Sequence, residues 1–273
     1  MKIIIFGSNG MLGSYLKLHL EKEYSVMALT RKDIDLSFID EARLLAFMFD
    51  NIAANDVVVN ACGVIKQRDY NVIEMLMVNS IFPHILAKFK KYVGCDIIHI
   101  TTDCVFSGSR GGYVESDNHD CIDDYGKSKS LGENLTITNI RTSIIGEEKL
   151  NKRSLLEWVI SNKGRAIDGY QNHFWNGITC LELSKLIKNI IKNNSFWSGV
   201  KHVFSPDIVS KYELVTMIND VYDLNMTISK KQTDKCYRDL STSMERVIEK
   251  PLYEQILELK DFNLKEKIKD RKL

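Results

Sequence analysis

KIIIFGSNGMLGSYLKLHL, residues 2–20, is the stretch that decides the fold. Ile3, Ile4, Ile5 and Phe6 are apolar on consecutive positions, the pattern of a strand buried on both faces. Gly7, Gly10 and Gly13 follow at once, and Leu12, Tyr15, Leu16 and Leu20 then repeat at helical spacing. A strand that turns through glycines into a helix lets backbone approach a ligand closely and aims the helix's free N–H groups at it. Such a terminus suits the pyrophosphate of a dinucleotide. The spacing is G-x-x-G-x-x-G rather than the commoner G-x-G-x-x-G. Surface turns also collect glycine, but a position between a strand and a helix favours nucleotide binding. Asn9, Met11 and Leu12 share this turn and are expected to contact the cofactor with the glycines.

Outward from this unit, residues 24–29, 56–60, 96–101 and 136–145 are further β-branched apolar runs. Helical patterns lie between them, the clearest being Val78, Ile81, Phe82, Ile85, Leu86 and Phe89. Repeated β-α-β with such crossovers implies an α/β fold with a Rossmann-type, doubly wound parallel sheet. Past residue 147 strand-like runs become sparse. Stripes at Leu183–Ile191 and Val215–Tyr222 suggest a smaller, mainly helical C-terminal substrate lobe. The expected division is 1–147 for the dinucleotide domain, with later segments interleaved, and 148–273 mostly for the substrate. The closing LKDFNLKEKIKDRKL reads as a solvated helix end or tail.

Bulk composition excludes much. The chain has 273 residues, 44% hydrophobic and 27% charged, typical of a soluble globular protein with a core that needs no disulfide or metal staple. Lys and Arg total 37 against 36 Asp and Glu, so no global field draws nucleic acid or anionic lipid. Six cysteines show no C-x-x-C pair, and six histidines no paired spacing, so a metal site is not expected. The run at residues 3–6 is too short for a signal-peptide core or a membrane span. A cytoplasmic location, with no membrane partner, follows by default.

Two further sites carry chemistry. After the second apolar run comes Thr30-Arg31-Lys32, where an acid would bind the ribose 2′-OH of NAD and a basic residue the 2′-phosphate of NADP. Arg31 therefore favours NADP(H) over NAD(H), against the alternative of a solvated basic pair. Asp124-Tyr125-Gly126-Lys127-Ser128-Lys129 opens a helix that puts Tyr125 and Lys129 on one face. Thr101 and Thr102 end the strand at 96–101, at the ligand edge of an open α/β sheet. Hydride delivery to a ketone leaves an alkoxide that needs a proton donor. A tyrosine beside an ammonium can serve, with a threonine hydroxyl holding the carbonyl oxygen.

GSNGMLG at 7–13, NACG at 60–63, TTDCVF at 101–106, YGKSK at 125–129 and RTSIIG at 141–146 together resemble the extended short-chain dehydrogenase/reductases. Within them the chain is similar to the dTDP-4-dehydrorhamnose reductase-like branch of sugar-nucleotide 4-ketoreductases. The likeness covers about the first 150 residues and continues loosely through Asn176-Gly177-Ile178-Thr179 and GVKHVFSPDIVSKYEL at 199–214. It implies Tyr125 as proton donor, Lys129 as its pKa-lowering, ribose-binding partner and Thr102 as the substrate-orienting hydroxyl. It further implies Gly7, Gly10 and Gly13 at the pyrophosphate, Asn60, Ala61 and Gly63 beside the cofactor after the fourth sheet strand, and Asp35 and Leu36 along the adenine. Asp103, Val105 and Arg141 would line the sugar pocket, and the helix over 78–89 would build a homodimer. His173-Phe174-Trp175 offers a substrate-binding surface that stacks on a nucleotide base, against the alternative of core packing. Cys62 departs from the alanine usual in the branch.

The resemblance also separates chemistries. Related dehydratases carry Asp-Glu after the threonine; here Asp103 is followed by Cys104, a poor base at neutral pH. Epimerases of this superfamily usually show Ser-Ser where Thr101-Thr102 stands. The expected activity is NAD(P)H-dependent reduction of a 4-keto-6-deoxy nucleotide sugar in polysaccharide biosynthesis. Two alternatives stay open. One is a bifunctional 3-epimerase/4-reductase of a UDP-sugar with Lys66, Asp103, Cys104 or His173 as base. The other is a non-catalytic NADP-binding regulatory subunit.

Overall fold

The computed structural model describes residues 1–65, 71–150 and 152–270, with side chains as far as residue 266. The chain divides into two compact units, each drawn from separated stretches. The first comprises Met1–Ser107, Asn118–Arg141 and Ser184–Lys201; the second comprises Gly108–Asp117, Thr142–Leu183 and His202–Leu273.

In the first unit β1 (Lys2–Phe6), α1 (Met11–Leu20), β2 (Ser25–Leu29), α2 (Glu41–Asn51) and β3 (Val57–Asn60) follow in order. Next come α3 (Val72–Leu76), α4 (Phe82–Val93), β4 (Asp96–Thr102), α5 (Asp124–Gly132) and β5 (Thr138–Thr142). β6 (Ile144–Ile145), α6 (Leu155–Ser161), β7 (Ala166–Tyr170), β8 (His173–Trp175) and β9 (Ile178–Thr179) lie in the second unit. α7 (Cys180–Asn193) then leads to β10 (Gly199–His202), which joins the large sheet in the order β10-β5-β4-β3-β1-β2. β1 pairs in parallel with both β2 and β3, and β3 with β4. Phe6 stands level with Leu29 and Asn60, and Asn60 with His99, so the carboxyl ends of these strands share one edge. β4 continues past that edge through Ile100, Thr101 and Thr102. Asn60 closes the third strand in chain order, which lies fourth in the sheet counted from β10.

The core explains why the apolar runs became strands. Ile3, Ile4, Ile5, Val58, Ile97 and Ile98 are fully buried, as residues of a sheet covered on both faces must be. Phe6 meets Phe82 edge to face at 4.9 Å. The helix from Val72 to Val93 is long and apolar enough to cross a membrane by length and composition, but 56% of its apolar window is buried inside the protein, as in a core helix. Its middle, Met77–Ile81, is a π-turn. The wider turn shifts the helical register, so Val78, Phe82, Ile85, Leu86 and Phe89 face the core while Ile81 is turned out, 46% exposed.

In the second unit β11 (Val209–Ser210), α8 (Lys211–Tyr222), β12 (Thr227–Lys231), β13 (Cys236–Tyr237) and α9 (Leu252–Asp270) complete the chain. The expected helical stripe at 215–222 is α8, started by a reciprocal Ser210–Glu213 capping box. The closing charged stretch continues α9 as far as Asp270. Small sheets β11-β8-β13, β12-β7 and β6-β9 accompany the helices. Most of these strands have two or three residues, too few to print an alternating pattern in the sequence.

Candidate active site

The glycine turn is built as its chemistry requires. Gly7 has φ +82°, and the N–H groups of Gly7 and Ser8 both donate to Leu29 O at 3.0 Å, tying the turn to the end of β2. Gly10 N donates to Gly7 O at 2.9 Å. A Cβ on Gly13 would stand 2.1 Å from Gly7 O, so α1 lies against the turn at a distance only glycine permits. Gly10 caps α1 with no side-chain oxygen, leaving the first-turn N–H groups of Met11 and Leu12 to meet an anion. A dinucleotide pyrophosphate fits this cradle. Asn9 is exposed beside it, and Leu12 is buried beneath.

Ala61 and Gly63 follow β3 along the same edge. Ala61 N donates to Phe6 O at 3.0 Å, and Asn60 Oδ1 accepts Cys62 N at 3.1 Å. Asn60 Nδ2 donates to His99 Nδ1 at 3.0 Å, and burial holds His99 neutral, well below the usual histidine range. His99 Nε2 is thereby the protonated nitrogen and has no partner among the described residues.

Tyr125, Lys129 and Thr102 come together in the first unit. Asp123 caps α5 by accepting Gly126 N at 2.8 Å, which starts the helix at Asp124 and puts Tyr125 in its first turn. One turn later Lys129 is 4% exposed, its Nζ donating to Ile100 O at 3.0 Å and Cys62 O at 3.4 Å. The Thr102 hydroxyl reaches Tyr125, donates to Asp103 Oδ1 at 3.0 Å and accepts Cys104 N at 3.2 Å. Burial pushes the Tyr125 phenol up, with the neighbouring Cys104 adding to the shift. Burial brings Lys129 down to about 8. The sequence led us to expect Lys129 to lower Tyr125; in the structure its ammonium is bonded to carbonyls and desolvation of the phenol dominates. A Cβ at Gly63 would lie 3.5 Å from Lys129 Nζ, so that glycine leaves the ammonium room for a ligand.

Asn79, inside the π-turn, was not signalled by the sequence. Its amide accepts Val64 N and donates to Val64 O, both at 2.9 Å, and reaches Ser128 Oγ at 3.0 Å. It thus clasps the loop after β3 to the helix that bears Tyr125 and Lys129.

Arg141 was expected at the sugar pocket, yet it is 1% exposed and bound inside. Its Nε and Nη2 donate to the two Glu133 oxygens at 2.9 and 2.5 Å, and Nη2 also donates to His119 Nε2 at 2.7 Å. Glu133 Oε1 accepts Thr101 Oγ1 at 2.9 Å, so this network braces the end of β4 from below. A guanidinium this buried must be paired, and Glu133 is the partner. Val105 is likewise fully buried, and Asp103 nearly so. Trp175 belongs to the second unit, 3% exposed, with Lys211 Nζ 4.8 Å from its ring centroid. His173 Nε2 there donates to the Asp234 backbone carbonyl at 2.8 Å. Leu36 is core, and Asp35 sits beside Arg31. Lys66 lies outside the described residues. All six cysteines are free thiols, and burial raises Cys62 to about 12, unsuited to act as a base.

A Rossmann-type sheet, a glycine cradle and a Tyr-Lys-Thr set on one sheet edge define an extended short-chain dehydrogenase/reductase, a nicotinamide-dependent oxidoreductase. The model for the RmlD substrate binding domain matches residues 1–146, and the chain belongs to that family. Spore coat polysaccharide biosynthesis protein SpsK of Bacillus subtilis is 28% identical over 86% of this chain and 84% of its own length. The dTDP-4-dehydrorhamnose reductase of Aggregatibacter actinomycetemcomitans is 28% identical over 80% of this chain and 78% of its own. A crystal structure of dTDP-4-dehydrorhamnose reductase from Bacillus anthracis in complex with NADP shares the fold, with TM-score 0.81 at 20% identity over 96% of this chain and 99% of that one.

Proposed function

We propose that this chain reduces the 4-keto group of a 4-keto-6-deoxy nucleotide sugar, dTDP-4-dehydrorhamnose or a close analogue, in polysaccharide biosynthesis. NADP(H) is the favoured cofactor. The observation that carries the reading is the pairing of the Tyr125 and Thr102 hydroxyls at the end of β4, with the Lys129 ammonium on the same helix face.

A nicotinamide cofactor, when bound, would supply the hydride. Gly7, Gly10 and Gly13 with the N-terminus of α1 would hold its pyrophosphate, and Arg31 would meet its adenosine ribose. When the substrate binds, the Thr102 hydroxyl turns from Asp103 Oδ1 to donate to the keto oxygen and fixes its position. Tyr125, kept protonated by burial, transfers its phenolic proton to that oxygen as it becomes an alkoxide. Lys129 stabilises the phenolate left behind and bonds the cofactor ribose. Asp103 holds the Thr102 hydroxyl until the substrate arrives, and Asn79 holds the Val64 loop and α5 in register. The protein works as a homodimer, with outward Ile73, Leu76 and Ile81 as the apolar strip for a second copy. Its six free thiols suit the reducing cytoplasm.

Turnover of a panel of 4-keto-6-deoxy sugars on dTDP, UDP and GDP, followed by NADPH oxidation, tests this reading. Tyr125→Phe is expected to lower kcat by about 10²–10⁴-fold while NADPH affinity stays near normal. Retained turnover refutes the role of Tyr125. Tight NADPH binding by the native chain with no turnover on any sugar replaces the enzyme by a cofactor-binding regulatory subunit.

A further inference from the structure

The end of β2 carries an ion cluster with one more carboxylate than cations. Arg31 is held on three sides: its Nε lies 3.2 Å from Asp35 Oδ1, its Nη1 lies 3.1 Å from Glu74 Oε1, and its Nη2 donates to Ser37 Oγ. Ser37 is buried, and its hydroxyl and backbone N–H both donate to Asp35 Oδ1. Asp35 is therefore tied into its own turn. Glu74 arrives from a separate element, α3, and its side chain is 24% exposed against 63% for Arg31.

This placement matters because of the sheet edge it occupies. The glycine turn bonds Leu29 O, the last residue of β2, so a dinucleotide lying on the turn brings its adenosine ribose to the residues just after β2. A ribose diol has hydroxyls to donate to a carboxylate. A 2′-phosphate has none at neutral pH; it needs the guanidinium fork and meets Asp35 and Glu74 as like charges. An ion pair this exposed is weak in itself, so a phosphate can displace it. The repulsion that remains then discriminates between the two cofactors.

We infer that Glu74 is a specificity-determining residue for the cofactor: its carboxylate occupies the Arg31 edge that a 2′-phosphate takes, and so restrains the preference for NADPH over NADH. The inference rests on the nicotinamide-dependent reading above and adds to it a residue from outside the glycine turn and the strand that follows. Removing one unit charge at about 6 Å, in an effective dielectric of about 40, changes binding of a singly charged group by a factor of about ten.

The test is direct titration of the full chain with NADPH and with NADH, reading nicotinamide fluorescence or heat at fixed ionic strength. Glu74→Gln should tighten NADPH about tenfold and leave NADH within about twofold, with the gain shrinking in high salt. Glu74→Ala should move the ratio in the same direction, and Arg31→Ala in the Glu74→Gln background should erase the gain. Equal shifts for both cofactors, or none for either, overturn the role of Glu74 and leave the nicotinamide reading standing. A native chain that binds neither cofactor overturns both.

Discussion

Burial moves the two titratable groups of the candidate site in opposite directions. It raises the Tyr125 phenol and lowers the Lys129 ammonium to about 8, because each shift favours the uncharged form. At neutral pH both still carry a proton, the state a reductase needs before hydride arrives. As pH rises Lys129 loses its proton first. The rate of reduction should therefore fall above about pH 8, and Lys129→Arg, charged at all working pH, should lose that limb in whatever activity it keeps. A limb that stays near 8 in the arginine variant separates it from Lys129. The same shift has a signed effect on stability. Between about 8 and the unfolded value near 10.4 the unfolded chain binds more protons, so the Lys129 penalty is full below pH 8 and is relieved through that window.

At the scale of elements, the junction of β1, the turn and α1 is decided by one missing atom. Replacing a helical glycine by alanine ordinarily stabilises by about 0.5–1 kcal/mol. At Gly13 the added carbon would stand 2.1 Å from Gly7 O and 2.8 Å from Ser8 Cα, both backbone, so overpacking of about 1–3 kcal/mol wins. Gly13→Ala should lower Tm and weaken NADPH binding at least about tenfold, because α1 must withdraw its N-terminus from the cradle. Unchanged NADPH affinity would remove the turn from the pyrophosphate site. The helix from Val72 to Val93 shows the opposite case. Its apolar stripe was legible as a helix, yet the π-turn that turns Ile81 out and aims Asn79 at Val64 left no mark in the spacing. A wider turn is a response to tertiary contacts, here the clasp on Ser128 and the Val64 loop.

For the whole molecule, the order of the chain and the order of the sheet differ. β10 lies beside β5 in the large sheet although the chain passes through Thr142–Leu183 of the second unit before reaching it. Ser184–Lys201 also gives the first unit buried Ile187, Ile190 and Ile191. A fragment ending at residue 147 would leave the edge of β5 and this apolar surface uncovered. It should show a lower Tm than the intact chain and a tendency to aggregate; a monomeric fragment unfolding cooperatively at the intact chain's temperature would contradict this.

Sequence alone determined the parts of this protein whose residues are neighbours along the chain. The run Ile3–Phe6, the turn Gly7–Gly13 and the helix after it are contiguous, and Tyr125 and Lys129 stand one helical turn apart, so local periodicity reports them. Tertiary structure alone decided the pairings: Glu133 with Arg141 and Thr101, Asn79 with Val64, Arg31 with Glu74. Such partners come from separate elements, and no spacing rule connects them. They are selected by the need to pair polar groups wherever packing brings them together.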